Sequence, residues 1–233
     1  MEHLNQNIYK LSELLTYLAS VPESAGQRIP PLSELSHKLG ISVASLREQL
    51  EVARLLGIVE IRPKSGIKKI QYSLKPAILA SLTYGIECNS QIFAQVSDIR
   101  KHLESAYFIE AAQMLSTSDK EELASLVKMA QQKLRSIPSQ LPNIEHKEFH
   151  LIIYRRLNNY LVVGILETYW DLYKRTGLDV YTDINYVDRV WQYHARIVEH
   201  IKQGNFNQGL AILLEHMDLI SQRERQAPRL SFE

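Results

Sequence analysis

The strongest constraint on this fold is a long stretch of helical periodicity in the second half of the chain. Beyond about residue 90, apolar residues recur every three or four positions, which is the spacing of amphipathic helices. Helices are predicted near residues 91–115, 119–136, 144–157, 160–175, 186–203 and 207–224. Because short connections join successive helices, we expect an antiparallel all-α bundle.

The first quarter of the chain has a different pattern. Helical spacing over residues 8–18 is followed by a short helical segment, 33–39, that ends at Gly40, a residue expected just beyond a helix C-terminus. Ser42 is a favourable N-cap for a third helix that stops at Gly57. The short connection between the second and third helices predicts a helix-turn-helix.

Two short strands follow this motif. Residues 58–62 and 67–72 have strand character, and the segment between them, 63–66, has turn composition. The predicted class is therefore mainly α, with an N-terminal winged helix-turn-helix (three helices plus a β-hairpin wing) and a C-terminal antiparallel all-α bundle. We expect a DNA-binding domain over 1–74, a linker over 75–90 with a short helix near 78–82, a helical ligand-sensing and dimerisation domain over 91–226, and a tail over 227–233.

Positive charge is concentrated near the predicted wing. The whole chain carries a net charge of +1, yet residues 1–76 hold ten Lys and Arg against seven Asp and Glu. The segment 61–86 contains no acidic residue and has basic residues at Arg62, Lys64, Lys68, Lys69 and Lys75. This predicts a small footprint for a polyanion, with a solvated loop as the alternative. In a winged helix-turn-helix the second helix of the motif enters the major groove and the wing reaches the adjacent backbone or minor groove.

Composition excludes several other classes of protein. A single cysteine, Cys88, cannot form an intrachain disulfide or a Cys-rich zinc site. No apolar run approaches the ~20 residues that cross a bilayer. The N-terminus lacks the basic-then-apolar layout of a signal peptide. We therefore expect a cytoplasmic protein.

A histidine pair suggests a metal site. His146 and His150 are four residues apart in a predicted helix, so they share one face and can chelate one ion. Imidazole suits zinc, nickel, copper and iron. Many such pairs bind nothing, so this pair alone is a weak indication.

Short motifs in a fixed order support a family resemblance. In the N-terminal part they are residues 29–30, 34–35, 38–42, 46–50 and 56–63, with Gly66 at the tip of the wing; in the C-terminal part they are residues 96–104, Phe149-His150, Asn159, His194, residues 196–198 and His216. Together they span roughly residues 8–225 and resemble the GntR superfamily of bacterial regulators, in the FadR-type branch with a helical FCD sensor domain. The resemblance implies a homodimeric transcriptional regulator that binds operator DNA, and no enzyme.

The resemblance also implies which residues contact DNA. Arg47 stands at a matching position, and the other contacts that we expect with DNA are Ser42, Val43, Ser45, Arg62, Lys64, Ser65, Gly66 and Lys68. Two arginines that typically touch DNA in the family are replaced here by Ser33 and Val43. Arginine reads guanine with two hydrogen bonds, whereas valine offers only apolar contact, for instance with a thymine methyl group. We therefore expect an operator unlike the family's common one.

Metal-binding FCD domains use Asp-x-x-Phe-His and one histidine on each of two later helices. In this chain His146 stands at the aspartate position, followed by His150, and the two later ligands match His194 and His216. Four imidazoles favour zinc, nickel or copper over manganese or magnesium, and we expect zinc or nickel. Two alternatives stay open: three protein ligands without His146, or a metal-free polar pocket in which the histidines bind an anion directly.

Two further residues match effector-binding positions of the family. Arg100 is expected to pair with the carboxylate of a small effector, because its planar fork suits two-point contact. A salt bridge to Glu104, one helical turn away, is the alternative. Asn159 either caps a helix or faces the pocket.

Two other functions compete with this interpretation. A metal-dependent hydrolase would need a carboxylate base, for which only Glu145 and Glu148 lie close in sequence to the histidines, and it would leave the helix-turn-helix without a role. A metal or metabolite sensor that acts on protein partners without sequence-specific DNA binding is favoured by Ser33 and Val43.

Overall fold

A computed structural model describes residues 10–22, 28–63, 66–177 and 183–226. The chain divides into two compact units, an N-terminal unit (Met1–Ser81) and a helical unit (Leu82–Glu233). The elements are α1 (Glu13–Ser20), α2 (Leu32–Leu39), α3 (Val43–Leu55), β1 (Val59–Arg62), β2 (Gly66–Lys69), α4 (Lys75–Cys88), α5 (Gln91–Gln113), α6 (Thr117–Arg135), α7 (Asn143–Tyr154), α8 (Tyr160–Arg175), α9 (Ile184–Gln203) and α10 (Phe206–Gln226). The predicted fold class is confirmed.

Capping residues define the helix-turn-helix in the N-terminal unit. Helix α2 ends at Gly40, which has a left-handed φ of 68° and whose N–H donates to the Ser36 carbonyl at 3.0 Å. Helix α3 begins after Ser42, whose side chain accepts the Ser45 N–H at 3.1 Å. The three helices pack around a small apolar core that includes Leu14, Leu18, Ile29, Leu35, Leu46, Leu50, Ala53 and Val59.

The first helix and the wing differ slightly from the sequence prediction. Helix α1 begins at Glu13, because Ser12 caps it by accepting the Leu15 N–H; the predicted start, residue 8, lies outside the described residues. Strands β1 and β2 are antiparallel, with Val59 opposite Lys69 and Arg62 opposite Gly66. The second strand ends at Lys69 rather than at residue 72.

A buried lysine ties the wing to α1. The Nζ atom of Lys69 donates to the carbonyl oxygens of Leu18 at 2.8 Å and Val21 at 2.6 Å. These carbonyls lie at the C-terminal end of α1, where a cation is favourable and main-chain acceptors have no helical donor. Lys69 is therefore engaged inside the N-terminal unit and is not available to DNA.

The segment between the two units is more helical than expected. The sequence predicts a linker with a short helix near residues 78–82, whereas α4 runs from Lys75 to Cys88. Pro76 lies in its first turn, where a missing N–H costs no helical hydrogen bond. Pro76 also packs close to Gly57: a Cβ atom at Gly57 would lie 2.4 Å from a ring carbon of Pro76, and the φ of Gly57 is +68°. Glycine is thus required at this turn.

The helical unit contains the larger core. Helix α9 packs on α6 and α10, and α5 packs on α7, α8 and α10. The core residues include Phe108, Leu123, Phe149, Ile153, Leu166, Trp191, Ile197, Ile201 and Leu213. The predicted helices of this unit agree with the observed ones to within a few residues. This packing surrounds one interior with α5, α7, α8, α9 and α10.

A charge cluster joins α6 to the end of α7. Ser116 and Asp119 form a capping box at the start of α6. The buried Asp119 carboxylate also accepts from Arg155 at 2.9 Å and from Arg156. Hydrogen bonds from Arg156, Ser116 and Arg155 outweigh the effect of burial and hold the pKa of Asp119 well below its usual value.

No helix among the described residues has the length and apolar character needed to span a membrane.

Candidate metal centre and DNA-binding surface

Four histidines converge in the interior of the helical unit. His146 and His150 come from α7, His194 from α9 and His216 from α10. Each offers one ring nitrogen, and these nitrogens all lie within 4.8 Å of one another. His150, His194 and His216 are buried, and His146 is partly buried. The structure thus brings together the four residues that the sequence predicts as ligands.

Packing between helices fixes the orientation of these rings. The Phe149 ring stacks on the His194 ring with 4.1 Å between centroids, which holds α7 against α9. The His194 Nε2 and His216 Nε2 atoms are 3.2 Å apart. Since a neutral imidazole has one donor and one acceptor nitrogen, only one of these two atoms carries a proton when they contact each other directly. Facing ring nitrogens of this kind are also the arrangement that holds a shared cation.

The buried histidines favour the neutral form. Burial is the main cause that lowers the pKa of His150, His194 and His216 well below the usual value. The positive charge of Arg100 acts in the same direction on all three. Neutral imidazole is the form that ligates a transition metal. The donor set therefore fits a borderline-soft divalent ion such as zinc or nickel.

Arg100 and Glu104 form a buried ion pair beside the histidines. The Nε atom of Arg100 donates to Glu104 Oε1 at 2.6 Å. The other carboxylate oxygen, Oε2, lies 2.7 Å from His150 Nδ1. Tyr154 donates its hydroxyl hydrogen to the Glu104 carbonyl at 2.9 Å. Of the two roles predicted for Arg100, the salt bridge to Glu104 is present in the structure.

Each partner of this pair depends on the other for its charge. Burial acts to lower the pKa of Arg100, but the charge and hydrogen bond of Glu104, with a contribution from Tyr169, raise it above the usual value. Burial raises the pKa of Glu104, and Arg100 opposes this. The guanidinium carbon of Arg100 also lies 4.4 Å from the Tyr169 ring centroid and 4.6 Å from that of Trp170. Arg100 is therefore held as a cation by Glu104 on one side and by two aromatic rings.

Asn159 caps a helix. Its Oδ1 accepts the N–H groups of Leu161 at 3.2 Å and Val162 at 3.3 Å, at the start of α8. Its Nδ2 lies 3.4 Å from the Tyr107 hydroxyl oxygen. Of the two roles predicted from sequence, the structure thus has the cap, and a contact with effector stays a prediction.

Neither carboxylate considered as a catalytic base joins the histidines. Glu145 pairs with Lys133 on α6 at 2.6 Å, and Glu148 is exposed. Among the residues that the structure describes, the group of converging donor atoms contains four imidazoles and no carboxylate. The two carboxylates considered from the sequence, Glu145 and Glu148, therefore do not supply the base that water activation by a metal would need.

The predicted DNA-binding residues of α3 lie at its N-terminal end. Ser42 is exposed and caps the helix, and Val43 and Ser45 are half-buried. Arg47 is exposed and makes no hydrogen bond or ion pair with the described part of the chain. An exposed arginine near a helix N-terminus is placed as recognition-helix side chains are.

The wing supplies the other predicted contacts. Arg62 is exposed and pairs with Glu60 at 2.9 Å, and Gly66 is exposed with a φ of 77°. Lys68 is half-buried, and its backbone bridges to Arg28. The predicted contacts Lys64 and Ser65 lie outside the described residues.

One residue of the site was missed from sequence. Trp170 is buried, its ring centroid lies 4.8 Å from that of His146, and it contacts the Arg100 guanidinium. Its indole Nε1 has no acceptor among the described residues. The signal available in the sequence was weak, because an aromatic residue on the apolar face of α8 is usually a core residue.

Comparisons with known proteins identify the family. The FCD domain model matches residues 95–219. The HTH-type transcriptional regulator LutR of Bacillus subtilis is 23% identical over 202 residues, which cover 82% of this chain and 89% of LutR. The Uxu operon transcriptional regulator of Escherichia coli K12 is 19% identical over 211 residues, which cover 88% of this chain and 81% of that protein.

A solved structure shares the fold. The structure of Streptococcus agalactiae GntR aligns with a TM-score of 0.63 and 18% identity, covering 90% of this chain and 96% of that one. The match to the FCD model over more than half of the chain, together with the winged helix-turn-helix that precedes it, assigns the protein. The chain is a GntR-family transcriptional regulator with a helical FCD effector-binding domain.

Proposed function

We propose that this regulator binds operator DNA as a homodimer and that its helical unit holds a divalent metal, zinc or nickel, together with a small carboxylate effector. The observation that carries the proposal is the convergence of four imidazole nitrogens within 4.8 Å, from three helices, in a buried interior. Bundle cores are where side chains from facing helices build metal sites.

The chemistry of the donors supports the choice of metal. His146, His150, His194 and His216 would hold the ion, and burial keeps at least three of these rings neutral. Nitrogen-only ligation suits zinc, nickel or copper and is unfavourable for magnesium or calcium, which prefer oxygen. When bound, the metal supplies an electrophilic position for an effector carboxylate.

Arg100 is the second group proposed to receive the effector. Its guanidinium is buried beside His150, with both ring nitrogens of His150 at 3.2 Å from the same terminal nitrogen. Because Glu104 already occupies one edge of Arg100, an incoming carboxylate must use its remaining N–H groups or displace Glu104. We also propose Asn159 as an effector contact. It would act from its position as the cap at the start of α8.

The N-terminal unit is proposed to read DNA with α3 and the wing. Exposed Arg47 is the candidate for base contact, and Ser42, Val43 and Ser45 lie on the same end of the helix. Arg62, Lys64, Ser65, Gly66 and Lys68 are the proposed wing contacts. With Ser33 and Val43 in place of arginines, the operator differs from the family's common one.

The proposed switch has two states of the dimer. Two N-terminal units bind half-sites about one DNA turn apart. A ligand that binds one arrangement of the helical unit more tightly than the other shifts the equilibrium between the two, and operator affinity changes by the same coupling free energy.

A gel-shift titration tests this function. Purified full-length protein, either zinc-loaded or treated with EDTA, is titrated against the promoter of its own gene over a salt series. We expect a specific, salt-sensitive complex whose affinity differs between the two forms, and a loss of that difference in His194→Ala but not in the surface variant His102→Ala. A specific complex whose affinity is the same with and without zinc would contradict the metal switch. Salt-insensitive or absent binding would favour a sensor that acts on protein partners.

A further inference from the structure

We propose that Gln49 is a positioning residue for operator binding, because it orients the Ser45 hydroxyl group to donate a hydrogen bond to a phosphate of the operator. This contact rests on the proposed binding of DNA by α3. It is supported by a chain of hydrogen bonds that runs from the first turn of α1 to the first two turns of α3.

Gln49 links α3 to α1 with both ends of its amide group. Its Oε1 atom accepts the Leu14 N–H at 2.9 Å, in the first turn of α1, where main-chain donors have no partner within the helix. Its Nε2 atom donates to Glu13 Oε2 at 2.9 Å. The main-chain N–H of Glu13 and the Gln49 amide both lower the pKa of this carboxyl, so Glu13 is ionised and only accepts. The two contacts therefore fix which end of the amide is oxygen and which is nitrogen.

The second Nε2 hydrogen of Gln49 sets the direction of the hydrogen bond at Ser45. Nε2 lies 3.4 Å from Ser45 Oγ and donates to it. A hydroxyl group has one hydrogen, and since Oγ is the acceptor here, that hydrogen is left for another group. None of the described residues accepts it. The half-buried Ser45 thus presents a donor that the N-terminal unit does not use.

The position of Ser45 on α3 favours a phosphate as the acceptor. Ser45 lies on the side of α3 that carries Gln49 and faces α1, whereas Arg47, two residues later, points about 200° away around the helix axis. The major groove is about 12 Å wide, close to the diameter of a helix with its side chains, so the flanks of a helix in the groove meet the sugar-phosphate backbone. Serine is one of the usual donors to phosphate oxygens.

An exchange of the two bridging side chains separates this role from simple support of α1. In the exchange variant, Glu13→Gln is combined with Gln49→Glu. Residue 49 still accepts the Leu14 N–H, and the bridge to residue 13 is kept with its donor and acceptor reversed. Net charge is unchanged, and the charged group moves by about the length of one hydrogen bond. Residue 49 then has only acceptors, so it takes the Ser45 hydrogen and withdraws that donor from DNA.

The experiment measures the affinity of the full-length protein for the promoter of its own gene by fluorescence anisotropy. Wild type is compared with Ser45→Ala, the exchange variant, and the exchange variant that also carries Ser45→Ala. We expect Ser45→Ala and the exchange variant each to weaken the specific complex about tenfold, since each loses a hydrogen bond to a charged group. The combined variant should bind no more weakly than either. Ser20→Ala, at an exposed position at the end of α1, should bind as wild type does.

A series of modified operators identifies the acceptor. In each duplex one phosphate is replaced by a neutral methylphosphonate. At the phosphate that Ser45 contacts, wild type should lose about tenfold in affinity, whereas Ser45→Ala and the exchange variant should lose far less. Thermal unfolding of the same proteins measures the bridge itself, and the exchange variant should keep the wild-type Tm because α1 and α3 stay linked.

The outcomes separate this contact from the DNA binding on which it rests. Wild-type affinity of the exchange variant would overturn the proposal and leave Gln49 as a structural bridge between α1 and α3. A loss from the exchange that persists in the Ser45→Ala background would also overturn it, because the moved charge would then act without Ser45. Equal sensitivity of all proteins to every methylphosphonate would overturn the phosphate contact.

Two further results complete the test. If the exchange variant does not fold, Gln49→Met, which cannot donate to Ser45, takes its place in the same comparisons. Absence of a specific complex with the wild-type protein would overturn the proposed DNA binding together with this contact.

Discussion

Glu104 and His150 form a buried contact in which the carboxylate Oε2 lies 2.7 Å from the ring Nδ1. With the Glu104 carboxylate ionised beside Arg100, it only accepts, so Nδ1 carries the proton. The second nitrogen, Nε2, then keeps the lone pair that a metal would require, and in this structure it lies 3.2 Å from a terminal nitrogen of Arg100. Carboxylates orient metal-binding histidines in this way in many sites. Glu104 thus acts on the proposed ion through His150, as a positioning residue.

Replacement of Glu104 by glutamine should weaken zinc binding. Glu104→Gln removes the negative acceptor that orients His150, and loss of such a second-layer partner typically costs about 10–100-fold in metal affinity. Competition with a chelator measures the change, and far-ultraviolet circular dichroism confirms that the helices remain. Glu110→Gln, at an exposed position of the same helix, is the control. A zinc affinity of Glu104→Gln that equals that of the control would show that His150 needs no orientation.

Arg47 should carry part of operator recognition. Arg47→Ala is expected to weaken the specific complex by about 1–3 kcal/mol and to relax the preference at one base pair, the usual result for a base-reading arginine. Arg54→Ala removes an exposed arginine from the other end of α3 that pairs with Glu51 and should have little effect. Fluorescence anisotropy with operator and scrambled DNA distinguishes the two. Equal losses on both DNAs would mean that Arg47 contacts phosphate only.

Lys69 should stabilise the junction of the wing with α1. Lys69→Met leaves the carbonyls of Leu18 and Val21 without their buried charged donor, which typically costs about 1–3 kcal/mol. The amides of α1 and β2 should then exchange with deuterium roughly 10–100-fold faster, because local opening becomes easier. The exposed Lys10→Met serves as the comparison. Unchanged exchange in Lys69→Met would mean that water replaces Lys69 as the donor to these carbonyls without loss of stability.

Asp119 should make the stability of the helical unit depend on pH. Its pKa is lowered in the folded protein, so the stabilisation is fully present above the unfolded pKa of about 4 and is lost as the pH falls towards the folded value. Asp119→Asn should therefore cost about 1.5–3 kcal/mol near pH 7 and progressively less below about pH 4. Urea unfolding, followed by the fluorescence of Trp170 and Trp191, measures the free energy of unfolding of both proteins at each pH.

The exposed Asp98→Asn variant provides the baseline for this comparison. A difference between wild type and Asp119→Asn that grows on acidification would reverse the sign of the effect. It would mean that the contacts of Asp119 with Arg155 and Arg156 do not stabilise the ionised form.

The helices other than α4 were largely predictable from the sequence, because they carry local signals. Helix α8 begins after Asn159 and α6 after Ser116, and both caps are visible in the sequence together with the apolar spacing that follows them. The chelating geometry of His146 and His150 also follows from spacing alone. Such local information fixes an element without reference to the rest of the chain.

The arrangement around the histidines was not predictable in the same way. Glu104 and Arg100 contact His150 across 46 and 50 residues, and the contact depends on how α5 packs against α7. The position of Trp170 over Arg100 likewise depends on the packing of α8 against α5. His194 and His216 were identified only through the family resemblance, since nothing in their local sequence distinguishes them from other helical histidines.

Zinc stoichiometry decides whether the four histidines hold a metal. Full-length protein is dialysed against buffered zinc and the bound metal is counted by mass spectrometry, in wild type, His150→Ala/His194→Ala and the surface variant His102→Ala. We expect about one tightly bound zinc per chain in wild type and in His102→Ala, and none in the double variant. Absence of zinc from the wild type, or an equal amount in all three proteins, would contradict it.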